Sequence, residues 1–384
     1  MLEIPLSGIK KIEEIASSHE YISLSQGSVK IGGIPSPIKK YVQDLLNTDK
    51  TDYYESCWGI KILREKLAQH IITTYNTAVT SDQILPTHGC IGGLSLLFLT
   101  LLAPDDEVII PEPSYPAYTI LTQTTRSKTV FVPMFEPKDN NSLDFDWNLD
   151  VEKIKAATTS KTKIIIFSNP CNPTGAIIPA TTLQALVDWC ELKGIYLIID
   201  EAYRSYDFTG TLTPGVTFIN KSDFVISANT FSKNMAMSGW RIGYLVVSKK
   251  LTKHLVGMQD ALLNCLNNTA QYAALYALDH PELSQNFFNI ISHNRTLIMQ
   301  LIEPLVQAGI FSYKKPDGGI FLFLNTIYPD ATDFCLSILN HAKVGLIPGK
   351  TFGPNSASFL RLCYARDTAI LEEGIRRITR YLLP

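Results

Sequence analysis

In TFSKNMAMSGWRIGY (230–244) a lysine directly follows an apolar, strand-like run, and Arg241 comes eight residues after it. A nearby positive charge helps to keep an amine neutral and nucleophilic, the state in which Lys233 could form an imine with an aldehyde. A solvated lysine on a turn is the other reading of the same residue. In IYLIIDEAYRSY (195–206) an apolar run ends in Asp200, with Tyr203 three residues on. Ligands of open α/β sheets sit beyond the carboxyl ends of the strands. Asp200 therefore stands where a carboxylate could pair with a pyridinium nitrogen, with Tyr203 near enough to hydrogen-bond a phenolic oxygen; it could equally be a helix N-cap.

Two turn-rich segments stand at other strand ends. SNPCNPTGAI (168–177) follows KIIIF and delivers an amide, Asn172, which can donate to a phenolate without adding charge; a Pro-Thr-Gly turn before a helix accounts for the rest. THGCIGG (87–93) opens a helix-like run, LSLLFLTLL, and backbone N–H groups at such a start can cradle a phosphate, although packing alone also favours glycine there. PGKTFG (348–353) ends like a phosphate loop but has Val344 where the opening glycine belongs, and no G-x-G-x-x-G occurs, so ATPase and dinucleotide readings fall.

These residues need a sheet to hold them. Between about residue 80 and 247 helical patterns alternate with β-branched runs at 107–111, 127–133, 163–168, 195–201, 223–229 and 241–248, as in a mostly parallel sheet flanked by helices. Helices are expected to begin at Gly92, Ser114, Asp150 and Pro179, the last in a first-turn position that suits its missing N–H. A long helical stretch runs from about 249 through the 270s, and Asp279-His280-Pro281 breaks it. Beyond lie strand-like runs in YKKPDGGIFLFLN, KVGLIPG and SFLRLCYA and a closing helix over 367–382. The expected division is a large α/β domain at 48–275 and a smaller α+β domain built from 1–47 and 276–384.

Composition narrows the classes. The chain has 384 residues, 46% of them apolar, enough for more than one core. Lysine plus arginine number 34 against 36 acids, which gives no reason to expect nucleic acid or an anionic membrane as partner. The seven cysteines are scattered without a C-x-x-C pair, so neither a disulfide framework nor a metal site is expected. The opening stretch MLEIPLSGIKKIEEIASS mixes acids and bases at helical spacing rather than reading as a leader, and no apolar run could span a bilayer; the cytoplasm is the expected compartment.

NPCNPTG, Asp200 with Tyr203, the Ser-Lys pair with Arg241, and FLRLCYA occur in an order and spacing that resembles the fold type I, class I/II pyridoxal-phosphate aminotransferases over nearly the whole chain. The resemblance implies pyridoxal 5'-phosphate as cofactor, held as an imine on Lys233, which also moves the substrate proton. It implies Asp200 at the pyridine nitrogen, Asn172 and Tyr203 at the phenolic oxygen, and Arg241 at the phosphate. Thr230 and Ser232 would add hydroxyls, Gly89, Cys90 and Ile91 a backbone cradle, and Tyr115 of PEPSYPAY a ring stacked on the cofactor; a core aromatic is the alternative for Tyr115. Arg361 of FLRLCYA would clamp the substrate α-carboxylate together with Asn172, where an ordinary buried ion pair is the alternative. Tyr54, five residues before Gly59, would reach the phosphate of a neighbouring subunit, making a homodimer with shared sites. SLSQGSVKIGGIPSP (23–37) loosely resembles a substrate loop, with Gly33 as its glycine, and His88 and Cys90 depart from the small residues usual in the cradle.

The expected activity is amino transfer from an L-amino acid to a 2-oxo acid. A carbon–sulfur β-lyase on the same fold is the alternative, because lysine, aspartate and arginine serve both. A ligand-sensing regulator would need a DNA-binding region, for which the chain has no spare segment.

Overall fold

The computed structural model describes residues 8–16, 20–135 and 146–383. β1 (Ile22–Ser23) is a short strand outside the main sheet. The main sheet contains β2 (Ile84–Thr87), β3 (Glu107–Glu112), β4 (Lys128–Pro133), β5 (Thr162–Ser168), β6 (Tyr196–Asp200), β7 (Val225–Thr230) and β8 (Gly243–Val246). Their order is β2-β8-β7-β6-β5-β3-β4, and β8 alone runs antiparallel to its neighbours. Ile164–Ile166 and Leu197–Ile199 are fully buried, as in a parallel sheet covered by helices on both faces. Each such side chain contributes roughly 1.5–3 kcal/mol of burial.

Loop chemistry sets the helix starts. The helix after β2 begins at Gly89, three residues earlier than expected at Gly92, and the one after β3 at Ala117 rather than Ser114. Asp150 caps Val151–Ala157, its carboxylate accepting from the N–H groups of Glu152 and Lys153. Pro179 is the N-cap of Ala180–Lys193 rather than a first-turn residue. The stretch expected as one helix from 249 is two, Lys249–Leu263 and Asn268–Asp279. The second starts where the Asn267 side chain accepts from the N–H of Ala270. β2 was not expected from the sequence: ILPT is too short to show a period and carries a proline.

The smaller sheet comprises β9 (Phe311–Tyr313), β10 (Phe321–Thr326), β12 (Ile347–Pro348) and β13 (Phe359–Cys363), antiparallel in the order β12-β13-β10-β9. β11 (Val344–Gly345) pairs with β1. Helices Gln285–Gln307 and Thr368–Leu382 pack against each other, and Ile291, Ile298, Leu371 and Ile375 join Leu322 and Leu362 in one core. Ile22, Leu24, Val29 and Ile31 belong to this core. Helix Ser36–Leu45 does not: its Ile38 and Val42 join the core under Asn268–Asp279, with Tyr41 stacked on Tyr276. Its apolar face simply finds the nearer helix. Of the opening stretch, Gly8–Ile15 is helical, and residues 1–7 and 17–18 lie outside the described residues.

At Gly243 the start of β8 passes so close to its neighbours that a Cβ would lie 2.5 Å from the Asn229 carbonyl oxygen and 2.7 Å from the Cys90 nitrogen. These are backbone atoms and cannot swing away. Gly243→Ala is expected to destabilise the fold by about 1–3 kcal/mol, read as a lowered urea midpoint; an unchanged midpoint would show that the strand can move.

Candidate active site

The parallel strands deliver their following residues to one sheet edge: Gly89 after β2, Tyr115 after β3, Asn172 after β5, Asp200 at the end of β6, Ser232 and Lys233 after β7. Because β8 is antiparallel, Arg241, just before it, starts from the same edge. Arg361 comes from β13 of the smaller sheet. A cavity of about 640 Å³ between the two sheets is lined by Cys90, Ile91, Tyr115, Asn172, Asp200, Tyr203, Thr230, Ser232, Lys233, Arg241 and Arg361.

Asp200 is buried, and desolvation pushes its carboxyl above the usual range. Donors oppose that push. Tyr118 Oη donates to Oδ2 at 2.8 Å, and Ala202 N–H and Cys90 Sγ reach Oδ1 at 3.1 and 3.5 Å. The bond from Ala202 closes a local turn rather than capping a long helix. Tyr118 was not singled out from the sequence, although PSYPAY places it three residues after Tyr115, in the first turn of the helix that follows.

Lys233 is no solvated turn lysine. Its Nζ donates to the Gly27 carbonyl at 2.5 Å and lies 5.6 Å from the Tyr203 ring centre. Burial, with help from the positive charges of Arg241 and Arg361, lowers its pKa to about 8. Thr230 Oγ1 donates to Ser232 Oγ at 2.9 Å, so both hydroxyls sit beside the lysine. Gly89, at φ 69°, opens its helix against Arg241: a Cβ there would lie 2.5 Å from the guanidinium. The helix N-terminus and the guanidinium thus converge with free N–H groups, an anion site by construction.

Arg361 is 1% exposed. Nη1 donates to Asn172 Oδ1 at 2.9 Å and Nη2 to the Ser25 carbonyl. Phe321 and Phe352 flank the guanidinium, 4.3 and 4.8 Å from ring centre to Cζ. Nε has no hydrogen-bond partner among the described residues, and no described carboxylate pairs with the group, so the ion-pair alternative fails.

Two of the expected residues do not line this cavity. Gly33 is outside the cavity wall, with nothing within 4 Å of where a Cβ would stand; the bridge between Lys30 and Arg366 turns the chain away before it, and Gly27 lines the cavity instead. Tyr54 is 83% exposed and lines a separate surface hollow with Tyr53 and residues 265–269.

A family model for class I and II aminotransferases matches residues 19–378. The chain belongs to this family. It is 32% identical over 377 residues to a probable aspartate aminotransferase of Methanocaldococcus jannaschii, covering 96% of this chain and 95% of that one. The crystal structure of an aspartate aminotransferase from Thermotoga maritima superposes with a TM-score of 0.88 at 27% identity, covering 99% and 98% of the two chains. That of the Thermus thermophilus aspartate aminotransferase with maleate gives 0.87 at 26% identity, covering 99% and 97%. The protein is thus a pyridoxal-phosphate-dependent aminotransferase of the expected fold, and these relatives lend nothing to the lyase alternative. The cavity fits the cofactor: an anion cradle for the phosphate, an acid for the ring nitrogen and a depressed amine for the aldehyde.

An unfolded lysine keeps its proton to about pH 10.4, so the lowered pKa of Lys233 costs stability that grows as pH falls from about 10.4 to about 8 and is constant below, and the free amine predominates above about 8. In the cofactor-free protein, arylation of Lys233 by trinitrobenzenesulfonate, followed by peptide mass spectrometry, is expected to be half-maximal near pH 8. A midpoint near that of surface lysines contradicts the burial argument.

Proposed function

We propose that the protein moves the amino group of an L-amino acid to a 2-oxo acid, with the cavity residues dividing the work. Bound pyridoxal phosphate supplies an aldehyde to take up the amino group and a ring that draws off electrons from the substrate's Cα. Lys233 anchors the cofactor in the resting protein and, once displaced, takes the Cα proton as a neutral amine and delivers it again; its lowered pKa suits both tasks at neutral pH. Asp200 holds the ring nitrogen protonated, and Asn172 and Tyr203 serve the phenolic oxygen. Arg241, Thr230, Ser232 and the N–H groups of Gly89, Cys90 and Ile91 hold the phosphate. Tyr115, packed edge-on to Tyr118 at 5.6 Å, stacks on the ring.

Arg361 carries the reading of the substrate. A buried guanidinium with an unpartnered Nε, in one cavity with a depressed lysine, suits a ligand that brings its own carboxylate. Asn172 orients it through Nη1. Arg361→Lys keeps the charge and loses the planar fork, so KM for amino and oxo acid should both rise by roughly thirtyfold, about 2 kcal/mol. Unchanged KM values would remove Arg361 from substrate binding.

We further propose a homodimer in which Tyr54, exposed on its own subunit, completes the neighbour's phosphate site. The seven cysteines are all unpaired, in keeping with a reducing compartment such as the cytoplasm and a place in amino acid metabolism. Among the described residues no helix is long and apolar enough to cross a membrane. An amino-donor screen tests the activity: a productive donor converts the visible absorbance of the loaded protein to that of the amine form, and 2-oxoglutarate or pyruvate restores it. Pyruvate released from cysteine conjugates without an acceptor would instead favour the lyase. Lys233→Ala should abolish the visible band.

A further inference from the structure

Glu112 ends β3, is fully buried, and does not line the cavity. Its carboxylate accepts from the Asn355 backbone N–H at 3.3 Å and from the Asn355 side-chain amide. The loop that carries Asn355 closes tightly on this carboxylate, because Gly353, at φ 149°, has no Cβ where one would strike Glu112 Oε2. Ser114, two residues after Glu112, donates its N–H to the Phe352 carbonyl at 2.8 Å. The main sheet is thus joined to loop 349–356 of the smaller domain by a charged hydrogen-bond pair and a backbone bond.

That loop supports the substrate side of the cavity twice over. Phe352, 1% exposed, presents its ring to the Arg361 guanidinium. Thr351 is the seat of helix Gly8–Ile15: Gly8 packs so closely on it that a Cβ would lie 2.5 Å from Thr351 Oγ1, and Ile9 and Lys10 of this helix line the cavity.

We propose that Glu112 is a positioning residue for carboxylate recognition, fixing loop 349–356 through Asn355 so that Phe352 backs the Arg361 guanidinium and Thr351 seats the N-terminal helix. The proposal rests on the reading of Arg361 as the carboxylate clamp. A neutral amide cannot serve both donors of Asn355, because one of its two ends is itself a donor.

The test uses the cofactor-loaded protein in its amine form, titrated with 2-oxoglutarate in single-turnover experiments. For Glu112→Gln the dissociation constant is expected to rise about tenfold while the limiting rate stays within about threefold and the visible band and its pH titration match the parent. Asn355→Ala, which removes the amide from the other side of the same contact and whose folding is checked by its urea midpoint, should shift the affinity in the same direction, and the double variant should be no weaker than Glu112→Gln alone, because both remove one interaction. Affinities within about twofold of the parent for both single variants overturn the proposal, as does an altered pH titration of the visible band, which would place the effect at the cofactor. Arg361→Lys separates the two ideas. If it weakens 2-oxoglutarate binding while the others do not, only the role of Glu112 fails; if it too leaves binding unchanged, the clamp itself is refuted and Glu112 with it.

Discussion

The site depends on keeping positive charge inside the protein without neutralising it. Lys233, Arg241 and Arg361 face one cavity, and each would cost several kcal/mol to bury bare. The chain meets that cost with dipoles and π faces. Arg361 leans on an amide oxygen, a carbonyl and two aromatic rings; Arg241 donates to the Ser238 carbonyl at 2.8 Å; Lys233 donates to the carbonyl of Gly27. Such partners lower the cost of burial and leave the net charge in place, available to an incoming phosphate and carboxylate. A carboxylate salt bridge at any of these positions would stabilise the empty protein and weaken it as a binder.

Two of these carbonyls lie in one short loop, and a third arginine shapes it. Arg366 is buried and donates from Nε to the Ser23 carbonyl, from Nη1 to that of Ser28 and from Nη2 to that of Gln26, at 2.6–2.8 Å. This wraps residues 23–28 around a guanidinium; of the three other carbonyls, that of Leu24 accepts from the Cys363 N–H, and those of Ser25 and Gly27 accept from Arg361 and Lys233. The loop therefore couples the substrate end of the cavity to the lysine. Apart from a 3.5 Å contact of Nη1 with Cys363 Sγ, the hydrogen bonds of Arg366 all go to backbone carbonyls.

The legible part of the site is the part written locally. Lys233, Asp200 and Asn172 each follow a strand within a few residues, so strand pattern and turn chemistry fix both their identity and the edge they reach. Partners that arrive from far along the chain leave no such mark. Nothing in Phe352 or Ser25 as residue types distinguishes them from other core and loop positions; Phe352 matters because β12 and β13 pair and bring residues 349–352 beside Arg361, and Ser25 because Arg366 and β13 hold its loop there. The glycine of the substrate loop shows the limit within a single motif. The loose likeness to a substrate loop offered Gly33, whereas Gly27 is the glycine that lines the cavity, and the wrap that places it there depends on a residue more than 300 positions away. Helix Ser36–Leu45 shows the same limit at the level of domains: its amphipathic pattern marks a face to bury, and only the finished fold says which neighbour buries it.

Asp200 shows how a departure from the family pattern fits the same logic. Burial alone would drive this carboxyl to its neutral form. The groups around its oxygens are a tyrosine hydroxyl, a backbone N–H and the thiol of Cys90, which stands where small polar or alanyl residues are usual. The backbone N–H can only donate. The tyrosine and the thiol are each held toward the protonated state by desolvation and by Asp200 itself, so each keeps a proton to give to the carboxylate. Three donors around one acid offset part of the push that burial exerts toward its neutral form. A protonated ring nitrogen set against it, the role proposed for this acid, would add one more donor to the same set.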